Sequence, residues 1–183
     1  MRMKTLLTVC VLAVLFEACA ATPTGNLGAT GQPTSAVSAT TDRFVPAAGA
    51  QAGPGGCGSS QVFSGEVPQT IQAAAGYNAP KDLRYAISDD GNAAGFLFSD
   101  PLKATAKPKI FWVMHLARAG QPLTITAHPA DASTPVVTVT EPADSGPGEV
   151  YPSIVDVPSP GCWVLSLQWA GHTSSVSLQY GSP

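Results

Sequence analysis

The chain has 183 residues, of which 11% are charged, and a formal charge of −3. That length holds one ordinary domain with appendages. Charged residues stand at less than half their usual share of about 25% and form no basic cluster, which excludes nucleic acid as a partner.

The N-terminus opens with Arg2 and Lys4 ahead of an apolar run from Thr5 to Phe16. The run is shorter than the roughly 20 apolar residues a spanning helix needs, and small residues follow it. Residues 1–18 therefore read as an export signal, outside the folded domain. Leu15-Phe16-Glu17-Ala18-Cys19 resembles a bacterial lipobox, with Ala18 ahead of the cysteine and Phe16 and Glu17 where that motif carries smaller residues. The resemblance implies cleavage before Cys19 and a diacylglycerol on its sulfur. Ala18-Cys19-Ala20 also fits ordinary signal cleavage, which would release a soluble protein, and an uncleaved anchor is the third route. Without residues 1–18 the chain keeps seven Lys/Arg against eleven Asp/Glu, a net charge of −4. It has no polybasic patch, so membrane attachment would rest on the lipid.

Residues 19–56 are dominated by Ala, Gly, Thr, Ser and Pro, with Asp42 and Arg43 as their charges. So few large apolar side chains predict a disordered tether. The folded domain is expected over 57–183. Short apolar runs there are separated by Gly, Pro, Asn and Asp clusters, and predict strands near 59–64, 68–73, 84–88, 94–98, 109–117, 123–128, 135–140, 153–157, 162–169 and 174–180. The stretch "PQTIQAAAGYNAPKDL" also has room for one helical turn. "KIFWVMHLA" reads as a strand buried on both faces. In 162–169, Trp163, Leu165, Leu167 and Trp169 share one face; in 174–180, Val176, Leu178 and Tyr180 do. "AGHT" between them predicts a hairpin. Many short strands with dense turn chemistry predict an all-β, immunoglobulin-like antiparallel β-sandwich.

Four cysteines are present: Cys10, Cys19, Cys57 and Cys162. Cys10 leaves with the signal and Cys19 is lipidated or removed. Cys57 and Cys162 then remain in an oxidising compartment and are expected to form a disulfide. Adjacent strand residues face opposite sides, so the bond is expected at a sheet margin while Trp163 enters the core and Val164 faces away.

"VYPSIVDVPSPGCWVLSLQWAGH", with "KIFWV" and "PLTITAH" upstream, resembles a set of secreted bacterial proteins and lipoproteins of unassigned function. In these, a Pro-x-x-Gly-Cys-Trp turn leads into the last hairpin. The resemblance implies an exported β-sandwich and transfers no catalytic residue.

The chemical candidates are sparse. His115, His128 and His172 lack metal-ligand spacing. "SDDGN" places Asp89, Asp90 and Asn92 around Gly91, the chemistry of a turn; it misses the EF-hand spacing. There is no Gly-x-Ser-x-Gly elbow and no serine beside an evident base, so the chain is read as a non-enzyme without cofactor. Trp112, Trp163, Trp169, Tyr77, Tyr85, Tyr151 and Tyr180 are candidates for a sugar-stacking platform. Core packing competes for most of them, and Tyr151 in "GPGEVYPS" is the best candidate for exposure. The expected function is binding or structural support at the outer face of the cell membrane, anchored there by an N-terminal lipid. Its partner would be an envelope protein or glycan. An extracellular hydrolase with a site assembled from loop residues is the alternative.

Overall fold

The computed structural model describes residues 43–78, 82–144 and 146–183, all within one unit spanning residues 39–183. The export signal, Cys19 and the tether up to residue 42 lie outside the described residues.

The elements in chain order are β1 (Ala50–Gly53), β2 (Val62–Gly65), α1 (Gln69–Ala75), β3 (Arg84–Ile87), β4 (Ala93–Leu97) and β5 (Leu102–Lys103). They continue with β6 (Lys109–Met114), β7 (Leu123–Pro129), β8 (Val137–Glu141), β9 (Val150–Ile154), β10 (Gly161–Trp169) and β11 (His172–Gly181). One sheet has the order β1-β2-β3-β4-β6-β9 and the other β5-β11-β10-β7-β8. Every pairing is antiparallel except β5 with β11. The fold is therefore an all-β, two-sheet sandwich.

Alternation along the strands builds the central core. Trp163, Leu165, Leu167 and Trp169 of β10 and Val176, Leu178 and Tyr180 of β11 are all buried in it, facing Ile110, Trp112 and Met114 of β6. The hairpin forms as expected, with Trp163 opposite Leu178 and Leu165 opposite Val176. Its turn holds Ala170 at φ 45° and Gly171 at φ 81°. Positive φ at both central residues gives a turn twist that matches the strands it joins. Gly95 has a different role. A Cβ there would stand 2.7 Å from Cζ3 of Trp112, so the missing side chain lets the indole lie across β4.

A second apolar cluster covers the opposite face of the six-stranded sheet. Ile71 and Ala75 of α1, with Phe44, pack on Phe63, Tyr85, Phe96 and Val113. β6 thus has apolar neighbours on both faces, as its near-continuous apolar sequence predicts.

Three expectations need correction. The tether does not extend to residue 56: Phe44 is 2% exposed, Phe44 N donates to Gly91 O, and β1 pairs with β2. One aromatic ring and a strand's backbone bonds order a stretch that is too polar on average to predict order. Residues 69–75 form a helix where a strand was expected at 68–73. Pro68 precedes it, Gly76 ends it in the left-handed conformation, and Ile71 and Ala75 bury one side. β9 runs over Val150–Ile154, where 153–157 was expected.

Candidate functional site

Cys57 and Cys162 are bonded, with Cα atoms 5.9 Å apart. Trp163 occupies the core, and Cys162 takes the outer side of the five-stranded sheet with Gln179 opposite. Cys57 arrives along the free side of β11: Gln179 N donates to Gly55 O at 2.9 Å and Cys57 N to Ser177 O at 3.2 Å. Ser177 N donates to Ser60 Oγ at 2.8 Å. The bond closes a sheet margin, away from the centre of the sandwich, and has a structural role.

Next to it lies the expected Asp-rich turn. Ser59 and Ser60 donate their hydroxyls to Asp89 Oδ1 at 3.1 and 2.9 Å. Asp90 accepts from Ser88 Oγ at 2.8 Å, Asn92 Nδ2 at 2.8 Å and the Ser174 hydroxyl. Asp89 N donates to Ser175 O, so the β3–β4 turn of one sheet is clasped to β11 of the other. Burial pushes the Asp90 carboxyl up, but the Ser174, Asn92 and Ser88 donors outweigh it and hold the group below its ordinary range. An acid this readily ionised is a weak base at neutral pH. Its oxygens are occupied in holding the fold.

The histidines serve separately. The His115 ring tilts against Phe44 with centroids 5.1 Å apart, and His172 lies similarly on Trp169. His128 Nδ1 stands 2.8 Å from Pro129 O and 3.0 Å from Ala132 O. Two carbonyl acceptors require that this nitrogen carries the proton. Among the described residues, no three of His, Cys, Asp and Glu gather as a metal site.

Six of the seven aromatic candidates are in the cores, each with its polar tip satisfied. The indole nitrogens of Trp112, Trp163 and Trp169 donate to Ser153 Oγ, Ser159 O and Leu116 O. The hydroxyls of Tyr85, Tyr151 and Tyr180 donate to Glu66 O, Gln121 O and Val155 O. Burial pushes all three phenols up. Tyr151 was the best candidate for exposure and is fully buried. The cause is its place on β9: Tyr151 pairs with Trp112 and enters the core between the sheets, while Arg118, which donates to Ala143 O and Val150 O, stands 5.4 Å over its ring.

Tyr77 is the exception at 39% exposed, and it sits within a surface that the sequence did not single out. Phe98 is 48% exposed, with Lys109 Nζ 4.9 Å over its ring. Ile154 is Lys109's partner on β9 and is also exposed. Phe111 lies two pairs further along, on the same face, between Phe96 and Pro152, with the Tyr77 ring edge-on at 5.6 Å. Lys107 is exposed on the segment that enters β6. This is the end of the six-stranded sheet's outer face that α1 leaves uncovered. It combines aromatic faces, aliphatic area and a lysine, which suits stacking against a ligand and pairing with an anion.

The fold and this surface define the class: a disulfide-closed all-β sandwich with one exposed aromatic and basic sheet face. No protein-family model, curated protein or solved structure matches the chain.

Proposed function

We propose that this is an exported envelope protein, lipid-anchored through Cys19, that binds an acidic envelope glycan on the Phe98–Lys109 surface. The carrying observation is that surface: Phe98 and Tyr77 are exposed beside Lys109 while six other candidate aromatics are buried. Aromatic rings stack on the C–H faces of sugars, and the lysine pairs with a carboxylate or phosphate. Export is supported by the leader sequence and by a disulfide, which persists in oxidising compartments. The immunoglobulin-like subtype belongs to this proposal too, as a rigid scaffold whose sheet face serves a partner.

The test is retention of the exported protein on glycan purified from its own envelope. Phe98→Ala and Lys109→Glu should each weaken retention, and salt should weaken the wild type. Equal retention of all three proteins would overturn the assignment. Shortening of the glycan during incubation would restore the hydrolase alternative.

A further inference from the structure

A sandwich has sheet edges whose unpaired backbone groups will accept another strand unless they are blocked. Here the edges are treated unequally. On β9, Met114 N bonds Glu149 O and Val155 N bonds Pro108 O, so odd-numbered residues face β6 and Val150, Pro152 and Ile154 face outward. Two of them are blocked outright, since Arg118 takes Val150 O and Pro152 has no N–H, and the Glu141 carboxylate lies close enough to the Ile154 amide to be favoured by it. β5 has two residues, and β1 has four and runs into Pro54.

β8 is different. Ala130 N donates to Cys162 O, which makes the even-numbered residues of β7 bond to β10 and the odd-numbered ones to β8. Thr138 and Thr140 therefore direct their N–H and C=O groups away from β7. Both are exposed, and "VTVTE" contains no proline and only the charge of its last residue, Glu141, which would oppose Val137 in the pairing below. Among the described residues no backbone partner is placed on these groups.

We propose that β8 pairs with β8 of a second copy of this chain, antiparallel about a two-fold axis through Val139. The sequence is self-complementary in that register. Thr138 meets Thr140 of the other copy twice, and both are hydrogen-bonded pairs, giving four backbone bonds. Thr–Thr cross-strand pairs are favourable, and no like charges meet. Pro135 and Pro142 bracket the strand and limit the pairing to its length. An isologous contact uses the same edge of both copies and so closes as a dimer, without growing into a fibre. An interface this short lies below about 1,200 Å² and gives a weak, concentration-dependent dimer.

Sedimentation of the exported protein across a wide concentration range tests this, with amide exchange at Thr138 and Thr140 read in parallel. The wild type should dimerise on concentration and those two amides should slow together. Thr138→Lys/Thr140→Lys places two lysine pairs across the axis and should weaken the dimer by about tenfold or more, with an unchanged Tm. Mixing it with Thr138→Glu/Thr140→Glu should restore a mixed dimer. A wild type that stays monomeric overturns the proposal, and so does a dimer that survives in the double-lysine variant. Amides protected only by an added envelope fraction would assign the edge to a foreign strand, which also overturns it.

Discussion

Replacing both cysteines, Cys57→Ser/Cys162→Ser, removes a cross-link between residues 105 apart in sequence. Closing a loop of that length lowers the entropy of the unfolded chain by an amount equivalent to about 4.7 kcal/mol at 25 °C. Little should change in the folded state, because the segment around Cys57 keeps its own contacts. Gly56 bridges Leu178, Gly55 O accepts from Gln179 N, and Ser60 Oγ accepts from Ser177 N. The loss should therefore appear as destabilisation of an intact fold, with Tm lower by about 15 °C for a domain of this size. Guanidinium unfolding followed by fluorescence of the three tryptophans measures it. The variant's m-value should rise, since its unfolded state expands more fully. A stability change under about 1 kcal/mol would refute the entropic account. A variant already unfolded without denaturant would also refute it, by showing that the bond holds the native margin together.

Gly95→Ala sets a Cβ 2.7 Å from the buried Trp112 ring, and overpacking there should cost about 1–3 kcal/mol in chemical denaturation; an unchanged midpoint would refute the close approach. Asp90 is held below the unfolded carboxyl value of about 3.9 by its hydrogen bonds. Its contribution is thus fully present above that pH and lost as pH falls through the folded value. Asp90→Asn should lower stability at neutral pH and flatten the acid limb of a Tm-against-pH curve; an unchanged limb would remove the clasp. Trimming to residue 43 should leave the domain intact, whereas trimming to residue 57 removes buried Phe44 and β1 and should cost about 3 kcal/mol or more by thermal unfolding.

The period-two pattern of Trp163 to Trp169 and Val176 to Tyr180 carried the hairpin, the core face and the side of the sheet that Cys162 takes, because a strand buried on one face writes that face into every second residue. Phe44 was not legible, since one aromatic among Ala, Gly and Pro says nothing of the Gly91 carbonyl its amide finds. α1 did leave signals, Pro68 before it and Gly76 after it, but seven residues are too few for a helical stripe to stand out. The Phe98–Lys109 surface was half legible. Alternation puts Phe96 and Phe98 on one face, yet only the placement of α1 decides that Phe96 is covered and Phe98 is not. Tyr151 failed for a related reason: the Gly and Pro around it suggest an exposed loop, yet its pairing with Trp112, about 40 residues earlier, turns it into the core between the sheets.

The most direct test of the central claim is the intact mass of the protein recovered from membranes of its own cells, measured without reductant. An exported lipoprotein predicts a chain beginning at Cys19, heavier by its lipid and lighter by the two hydrogens lost between Cys57 and Cys162. A chain that retains residues 1–18, or one carrying two free thiols at Cys57 and Cys162, would contradict it.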